Sequence, residues 1–477
     1  MEHQNVAKGP PWLNWDGGPP QKQIEFSIES EQETFEHWIF SPILTEAYHV
    51  KNQIDSIYVQ GIWDDYKKVT NPYEYIFLSL SRRMSRSVAT RTPLSRSYFK
   101  MLELWQGADL QQEIASLVLR DGGLISSHAA EGPGGFIEAL HNCYKNNVRY
   151  SQAMTLRSTT RNIPGWRKTA SFLNKHPTIH ITYGADSTGD LLVLENLDFF
   201  VEQFKDKKAH VYTADGGFDF SSDFNAQEET ILPLLTAEFY LGLKSIQRGG
   251  VIIVKIFDTT LRPTLELIWL TTRSFREWSI VKPKTSRGGN AERYLICKGF
   301  LGLDTDTDKF FRQVITHRGL PIKSFLKTKP EIHWLQNILA IQEAIARQEI
   351  DIIQKTLALV QKPNISEIHK YIEENVERSI QWCKDHNETI NQNWYDKEWR
   401  QRTVHDETKE LSEAGTLKVN GWRGLSEVSQ TYSPEQNQQR QRHHAGTFAR
   451  TRPARAFQSS SREPHGGNPD EEGWQKV

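Results

Sequence analysis

Cysteine is scarce in this chain of 477 residues: three thiols, Cys143, Cys297 and Cys383, stand far apart and are odd in number. That argues against a disulfide framework and a multi-cysteine zinc site, and no metal is expected; a reducing compartment fits best. An excess of either charge is also missing, with 58 Lys and Arg against 59 Asp and Glu and a net charge of −1. No molecule-wide field announces nucleic acid or membrane as the partner, so any basic surface has to be local. Apolar runs of about 18 residues are absent, and Met1 to Pro20 shows no basic segment leading into an apolar one. Secretion and membrane spanning are not expected.

The length leaves room for two or three folding units at about 150 residues each. Residues 1–90 are aromatic-rich and mixed, with Trp63 and the run Asn71-Pro-Tyr-Glu-Tyr-Ile76, and read as an accessory region packed against the adjoining sheet. Residues 91–305 alternate short β-branched runs with longer amphipathic segments. Strands are expected at 124–130, 153–156, 178–183, 209–214, 251–257, 278–283 and 293–297, with helical periods at 136–144, 227–246 and 263–275 between them. Such alternation implies an α/β unit with a mostly parallel sheet covered on both faces. Residues 306–399 form a helical extension, in which Trp334, Ile338, Ile341 and Ile345 recur at three- and four-residue steps. Residues 400–477 are rich in Gln, Arg, Ser, Gly and His and read as a disordered polar tail. The basic run at 440–455 could hold RNA through phosphates or simply stay solvated.

Two segments carry chemistry. Leu124-Ile-Ser-Ser-His-Ala-Ala-Glu-Gly-Pro-Gly-Gly-Phe136 reads as strand, tight turn and helix. Its spacing is neither a dinucleotide fingerprint nor a P-loop, so a cofactor without a pyrophosphate fits better. An ordinary glycine–proline turn would leave the same trace. The second is a set of charges around that turn. Asp215 ends a strand before a double glycine, Lys255 interrupts an apolar strand where a lysine is costly unless paired, and Glu292 opens the next strand. Lys100, on an amphipathic helix, precedes the glycine turn. If the strand after Glu292 runs antiparallel, Glu292 faces the same crevice as Asp215 and Lys255. Each residue alone has a plain reading as a turn cap or a solvated charge; the ordered set points to one cleft.

Lys100, Asp215, Lys255 and Glu292 around the Gly-Pro-Gly-Gly turn resemble the Lys-Asp-Lys-Glu tetrad of FtsJ-like ribose 2'-O-methyltransferases. Tyr183-Gly-Ala-Asp-Ser-Thr-Gly-Asp190 with Glu195-Asn196, Gln227-Glu228 and Thr285-Ser-Arg287 before Asn290-Ala-Glu-Arg-Tyr294 resemble the mRNA cap methyltransferases of eukaryotes and large DNA viruses. The resemblance covers about 94–300. It implies a Rossmann-like methyltransferase with a seven-stranded sheet and helical additions at both ends. It also implies S-adenosyl-L-methionine as cofactor, RNA with a 5' cap as substrate, capping or transcription machinery as partner, and a cytoplasmic, viral-replication or nuclear setting. Methylation of ribosomal or transfer RNA, and a silent RNA-binding module on the same fold, stay open.

The tetrad would then be catalytic, with Lys255 as base or hydroxyl-steering group, its pKa lowered by burial and Lys100 but raised by its carboxylate partners. Gly132, Pro133, Gly134, Gly135, Phe136, Asp190 and Asp215 would hold the cofactor, and Lys282, Lys284 and Arg287 would meet RNA. Three positions depart from the family: His128 stands for an acid, Gly288 for a proline and Ala291 for a serine. Glu131, just before the turn, is an alternative source of that carboxylate.

Overall fold

The structure, a computed structural model, describes residues 12–14, 24–30, 37–58, 63–79, 81–157, 165–217, 227–317 and 322–429. Ten strands are present among them: β1 (Leu13–Asn14), β2 (Phe26–Ser30), β3 (Leu124–Ala129), β4 (Val148–Met154), β5 (Ile179–Thr182), β6 (Ala209–Ala214), β7 (Ile246–Ile256), β8 (Phe275–Val281), β9 (Arg293–Phe300) and β10 (Ile322–Leu326). Eight of them form one sheet in the order β1-β8-β9-β7-β6-β3-β4-β5. The five strands from β5 to β7 run parallel, and β9 lies antiparallel between β7 and β8. The seven expected strands are all there; the two-residue β1 adds an eighth at the edge. The basic run at 440–455 lies outside the described residues.

Burial on both faces explains why the central strands read as continuous apolar runs. Ile252, Val254 and Ile256 of β7 join the core under helices Gln227–Ser245 and Arg262–Thr272. Val251 and Ile253 point the other way, into the core under helices Ser97–Gly107 and Gly135–Tyr144. Lys255 alternates with Val254 and therefore shares this second face. The chain reverses its direction of travel across the sheet between β3 and β6. In open α/β sheets such a reversal opens a crevice at the carboxyl ends of the strands, and both motifs of the sequence end there.

The two ends of the chain pack together on this unit. Ala47, Val50 and Ile54 of helix Pro42–Tyr58, with Trp63, meet Ala346, Ile350, Ile353 and Leu357 of helix Ile332–Gln361. Helix Ile365–Asp385 sends Ile368, Ile372, Val376 and Trp382 into the second core, where the Trp382 ring lies 5.7 Å from that of Phe99. β2 and β10 pair as a separate antiparallel ribbon.

The polar tail does not begin at residue 400. Helix Lys397–Ser429 runs through that point, and Val404, Glu407 and Leu411 on it are buried. Low overall hydropathy hid a stripe of spaced apolar residues around an ion-paired glutamate. No helix among the described residues is long and apolar enough to cross a membrane.

Candidate active site

Strand register assembles the site. Ala214 of β6 pairs with Val254 of β7, so Asp215, one step beyond, lies beside Lys255. Lys255 pairs in turn with Tyr294 of β9, which runs antiparallel and begins at this same end of the sheet. Glu292 precedes that strand by one residue, and Glu292 and Tyr294 share a face by the two-residue repeat of strands. The result is a row of side chains across three strands at the crevice.

The ion pairs close. Lys255 Nζ stands 3.3 Å from Asp215 Oδ1 and donates to the Asp215 carbonyl oxygen at 2.9 Å. Lys100 Nζ, from helix Ser97–Gly107, lies 2.7 Å from Glu292 Oε1 and 2.8 Å from Oε2. Two residues without an assigned role complete the frame. The Tyr294 hydroxyl donates to Asp215 Oδ1 at 2.8 Å, and the Ser286 hydroxyl donates to Glu292 Oε1 at 2.9 Å. Tyr294 could have been noticed from its place two residues after Glu292, whereas nothing local marks Ser286.

The electrostatics settle the balance that the sequence leaves open at Lys255. Burial lowers its pKa, but Asp215, Glu292 and Glu238 outweigh burial, and the group is raised above its ordinary 10.5. It is an ammonium in the resting structure. Glu292 is the mirror case: burial alone would raise it, and Lys100 and Lys255 hold it down to about 2. Two fixed positive and two fixed negative charges therefore face one another.

The glycine turn does two separate jobs. Gly134 has φ +103°, a conformation that favours glycine, and it leads into helix Gly135–Tyr144. Gly135 and Gly132 are packing positions rather than open backbone. A Cβ at Gly135 would overlap the Ser95 and Ser97 hydroxyls, and one at Gly132 would come within 2.8 Å of the Gly165 carbonyl oxygen. Pro133 sits between these positions, its carbonyl accepting from the Thr169 hydroxyl at 2.7 Å. Phe136 is fully buried, its ring 5.7 Å from that of Tyr294, so it supports the site from beneath and offers no surface to a ligand. Asp190 caps a turn, accepting from the Leu192 N–H at 2.9 Å, and stays partly exposed.

The three basic residues separate sharply. Lys282 is an internal strut: its side chain is 6 % exposed, and its ammonium lies 3.1 Å from the Glu292 carbonyl and 3.3 Å from Glu349. Its ammonium is taken up by these internal partners and is turned away from solvent, a direction that the sequence just beyond β8 does not reveal. Arg287 is held by both oxygens of Glu74, at 2.9 and 3.1 Å. Lys284 alone is exposed, with its backbone N–H fixed by Glu103 at 2.7 Å.

His128, at the position of the family's acid, is buried and bonded to Thr213 Oγ1 at 2.7 Å and Ser126 Oγ at 2.8 Å. The Glu131 carboxyl turns inward as well, to the Thr213 hydroxyl and within 3.2 Å of His128. A carboxyl group is thus present beneath the turn, from a different residue.

A mostly parallel sheet covered by helices, with a Lys-Asp-Lys-Glu row at the carboxyl ends of its central strands, has the Rossmann-like methyltransferase fold. Residues 93–300, a little under half of the chain, match the sequence model of the FtsJ-like methyltransferase family. Among named relatives, the cap-specific mRNA (nucleoside-2'-O-)-methyltransferase 1 of Trypanosoma cruzi is 30 % identical over 211 residues, covering 43 % of this chain and 55 % of that protein. The protein of the same name from Leishmania braziliensis is 29 % identical over 265 residues, 54 % of this chain and 63 % of its own length. The human protein of that name is 32 % identical over 197 residues, 39 % of this chain and 23 % of its own. The chain thus spans less than two thirds of each.

Proposed function

We propose that the chain transfers a methyl group from S-adenosyl-L-methionine to the 2'-hydroxyl of a ribose in RNA, at a nucleotide next to the 5' cap of mRNA. The single observation that carries this reading is the closed row Lys100, Glu292, Lys255, Asp215 at the crevice, each lysine within 3.3 Å of a carboxylate oxygen. The names of the relatives support the cap-adjacent substrate.

The residues fit a cationic cofactor. The four rim charges already balance, and beneath them lie the buried carboxyl groups of Glu131 and Glu238, the latter without a side-chain hydrogen-bond partner. A site that is balanced at the rim and acidic below favours a ligand with net positive charge. S-adenosyl-L-methionine, when bound, supplies a methyl group on a positively charged sulfur. Asp215 and the turn from Glu131 to Gly134 would hold it, and Asp190 would meet its hydroxyl or amino groups.

This chain's residues then handle the hydroxyl. The Lys255 ammonium donates to the ribose oxygen and fixes its direction, which matters because much of the rate of such a transfer comes from alignment. Asp215, itself held by the Tyr294 hydroxyl, holds the Lys255 tip, while Glu292, bound by Lys100 and Ser286, flanks it. The ammonium can act as proton acceptor only after losing its own proton, which a further positive charge at the rim favours by lowering its pKa. Lys284 would meet RNA phosphates; Lys282 acts inside the protein, and Arg287, half-buried, is held by Glu74.

Radiolabelled methyl transfer to capped and uncapped RNA of one sequence, with the labelled nucleotide mapped, tests the assignment. Capped RNA alone should be labelled, on a ribose oxygen. Equal labelling would defeat the cap assignment and favour ribosomal or transfer RNA. Lys255→Ala should reduce transfer at least about 100-fold; a variant as active as the wild type would defeat the mechanism.

A further inference from the structure

Two carboxyl groups beneath the rim take no part in the ion pairs between the lysines and the tetrad acids. Glu131 opens the turn after β3, and Glu238 comes from helix Gln227–Ser245 on the opposite layer of the sheet. The Glu131 side chain is 1 % exposed and Glu238 is wholly buried. Both carboxyl oxygens of Glu238 are without a side-chain hydrogen-bond partner, while Glu131 Oε2 lies 3.2 Å from His128 Nδ1.

Both groups approach the residue that follows Asp215. A Cβ on Gly216 would overlap Glu238 Oε1 and would lie 3.1 Å from the Cβ of Ala130, the neighbour of Glu131 in the chain. The backbone of Asp215 and Gly216 is therefore the thin layer between this pair and the rim. The charged and titratable groups facing Glu238 are Lys255, Asp215, Tyr212 and Glu131; those facing Glu131 are His128, Asp215, Tyr212 and Glu238. Lys255, itself matched to Asp215, is the cation among them, and His128 is charged only when protonated.

A buried carboxyl without partners is more stable as the neutral acid. Burial pushes Glu238 up to about 8 against the opposing charge of Lys255, and burial likewise raises Glu131 against the pull of His128. The resting site thus has a charge-balanced rim over Glu238, which burial keeps as a neutral acid near neutral pH, beside Glu131, which burial shifts in the same direction. A ligand of net charge plus one upsets that balance, and the nearest groups able to restore it are these two.

We propose that Glu131 and Glu238 are a proton store for the donor site, giving up a proton when a sulfonium ligand enters beside Asp215 and taking one back when a neutral sulfide remains. In the first step the O–H bond of one carboxylic acid breaks, the electron pair stays on the carboxylate and the proton passes to solvent. After methyl transfer the sulfur is neutral, the ribose hydroxyl has released its proton, and one proton re-forms the carboxylic acid. The net charge of the site is the same before and after. The proposal rests on the methyl-transfer reading and deepens it, since it assigns the site a device that distinguishes donor from spent cofactor by charge.

Isothermal titration calorimetry of the full chain near neutral pH, repeated in buffers of different ionisation enthalpy, counts the protons released on binding. S-adenosyl-L-methionine should release more than S-adenosylhomocysteine does, by about half to one proton per site. Glu238→Gln should shrink that difference with both ligands still bound, and adding Glu131→Gln, in the turn that would hold the cofactor, should abolish it in whatever binding remains. Equal proton counts for the two ligands in the wild type would overturn the proposal, and so would a difference that persists in the double variant. The wild-type comparison stands alone should a variant not fold. Failure of both ligands to bind the wild type would instead overturn the methyl-transfer reading, and this proposal with it.

Discussion

Lys255 shows what a single residue can and cannot reveal. Its presence in an apolar strand announces a partner, because an unpaired buried ammonium is too costly to keep. Which way its pKa moves depends on how many carboxylates come within reach, and three acids outweigh burial. Two acids near the site shift downward. Burial would raise Glu74, but Arg96 and Arg287 hold it to about 2 from an ordinary 4.5, as the two lysines hold Glu292. Since their folded pKa is depressed, the stability they contribute is present above the unfolded value and is lost as pH falls from about 4.5 towards about 2. Thermal unfolding should therefore shift to lower temperature across that acid range, and Glu74→Gln should flatten the dependence. An unfolding temperature flat across the range in the wild type would contradict the depressed values.

At the scale of elements, the contact between helices Ser97–Gly107 and Gly135–Tyr144 places Lys100. Gly135 touches the Ser95 and Ser97 hydroxyls and the Tyr98 N–H so closely that no Cβ fits. Gly135→Ala should cost roughly 1–3 kcal/mol by overpacking and should displace the start of the Lys100 helix. Chemical denaturation would measure the first effect and methyl transfer the second; a variant with unchanged stability and activity would refute the packing role. The motif Gly-Pro-Gly-Gly was legible, yet its reason was not, because a glycine that admits a ligand and one that admits a neighbouring helix look alike in sequence. Strands fared better. β6 has the bounds expected from its apolar run, whereas β7 starts at Ile246 instead of Val251 because Gly249 and Gly250 interrupt the pattern at a shift of register against β6. Helix Leu194–Glu202 was not anticipated, its period lying too near the loop before it.

Across the whole molecule, segments remote in sequence are tied together by buried charge. Glu349 of helix Ile332–Gln361 lies 3.1 Å from Lys51, 3.3 Å from Lys282 and 3.0 Å from Arg293. Asp258, just beyond β7, completes the network with Lys51 at 2.8 Å and Arg293 at 2.7 Å. Glu349→Ala should destabilise by about 3–5 kcal/mol, because removing one partner leaves buried cations unmatched; a change below about 1 kcal/mol in denaturant would show the network to be dispensable. The end of the chain is tied in the same way. Glu407 accepts from Arg83 Nε at 2.9 Å, from Arg86 at 2.6 Å and from the Tyr75 hydroxyl at 3.2 Å. Truncation at residue 400 should therefore lower the unfolding temperature, and truncation without effect would count against that anchoring. The sequence by itself determined the α/β class, the seven strands and the residues of the tetrad, since apolar period and out-of-place charge are local properties of a chain. Only the tertiary structure decided which charges face inward, which glycines serve packing, and where the terminal segments attach, because burial and pairing arise from neighbours hundreds of residues away.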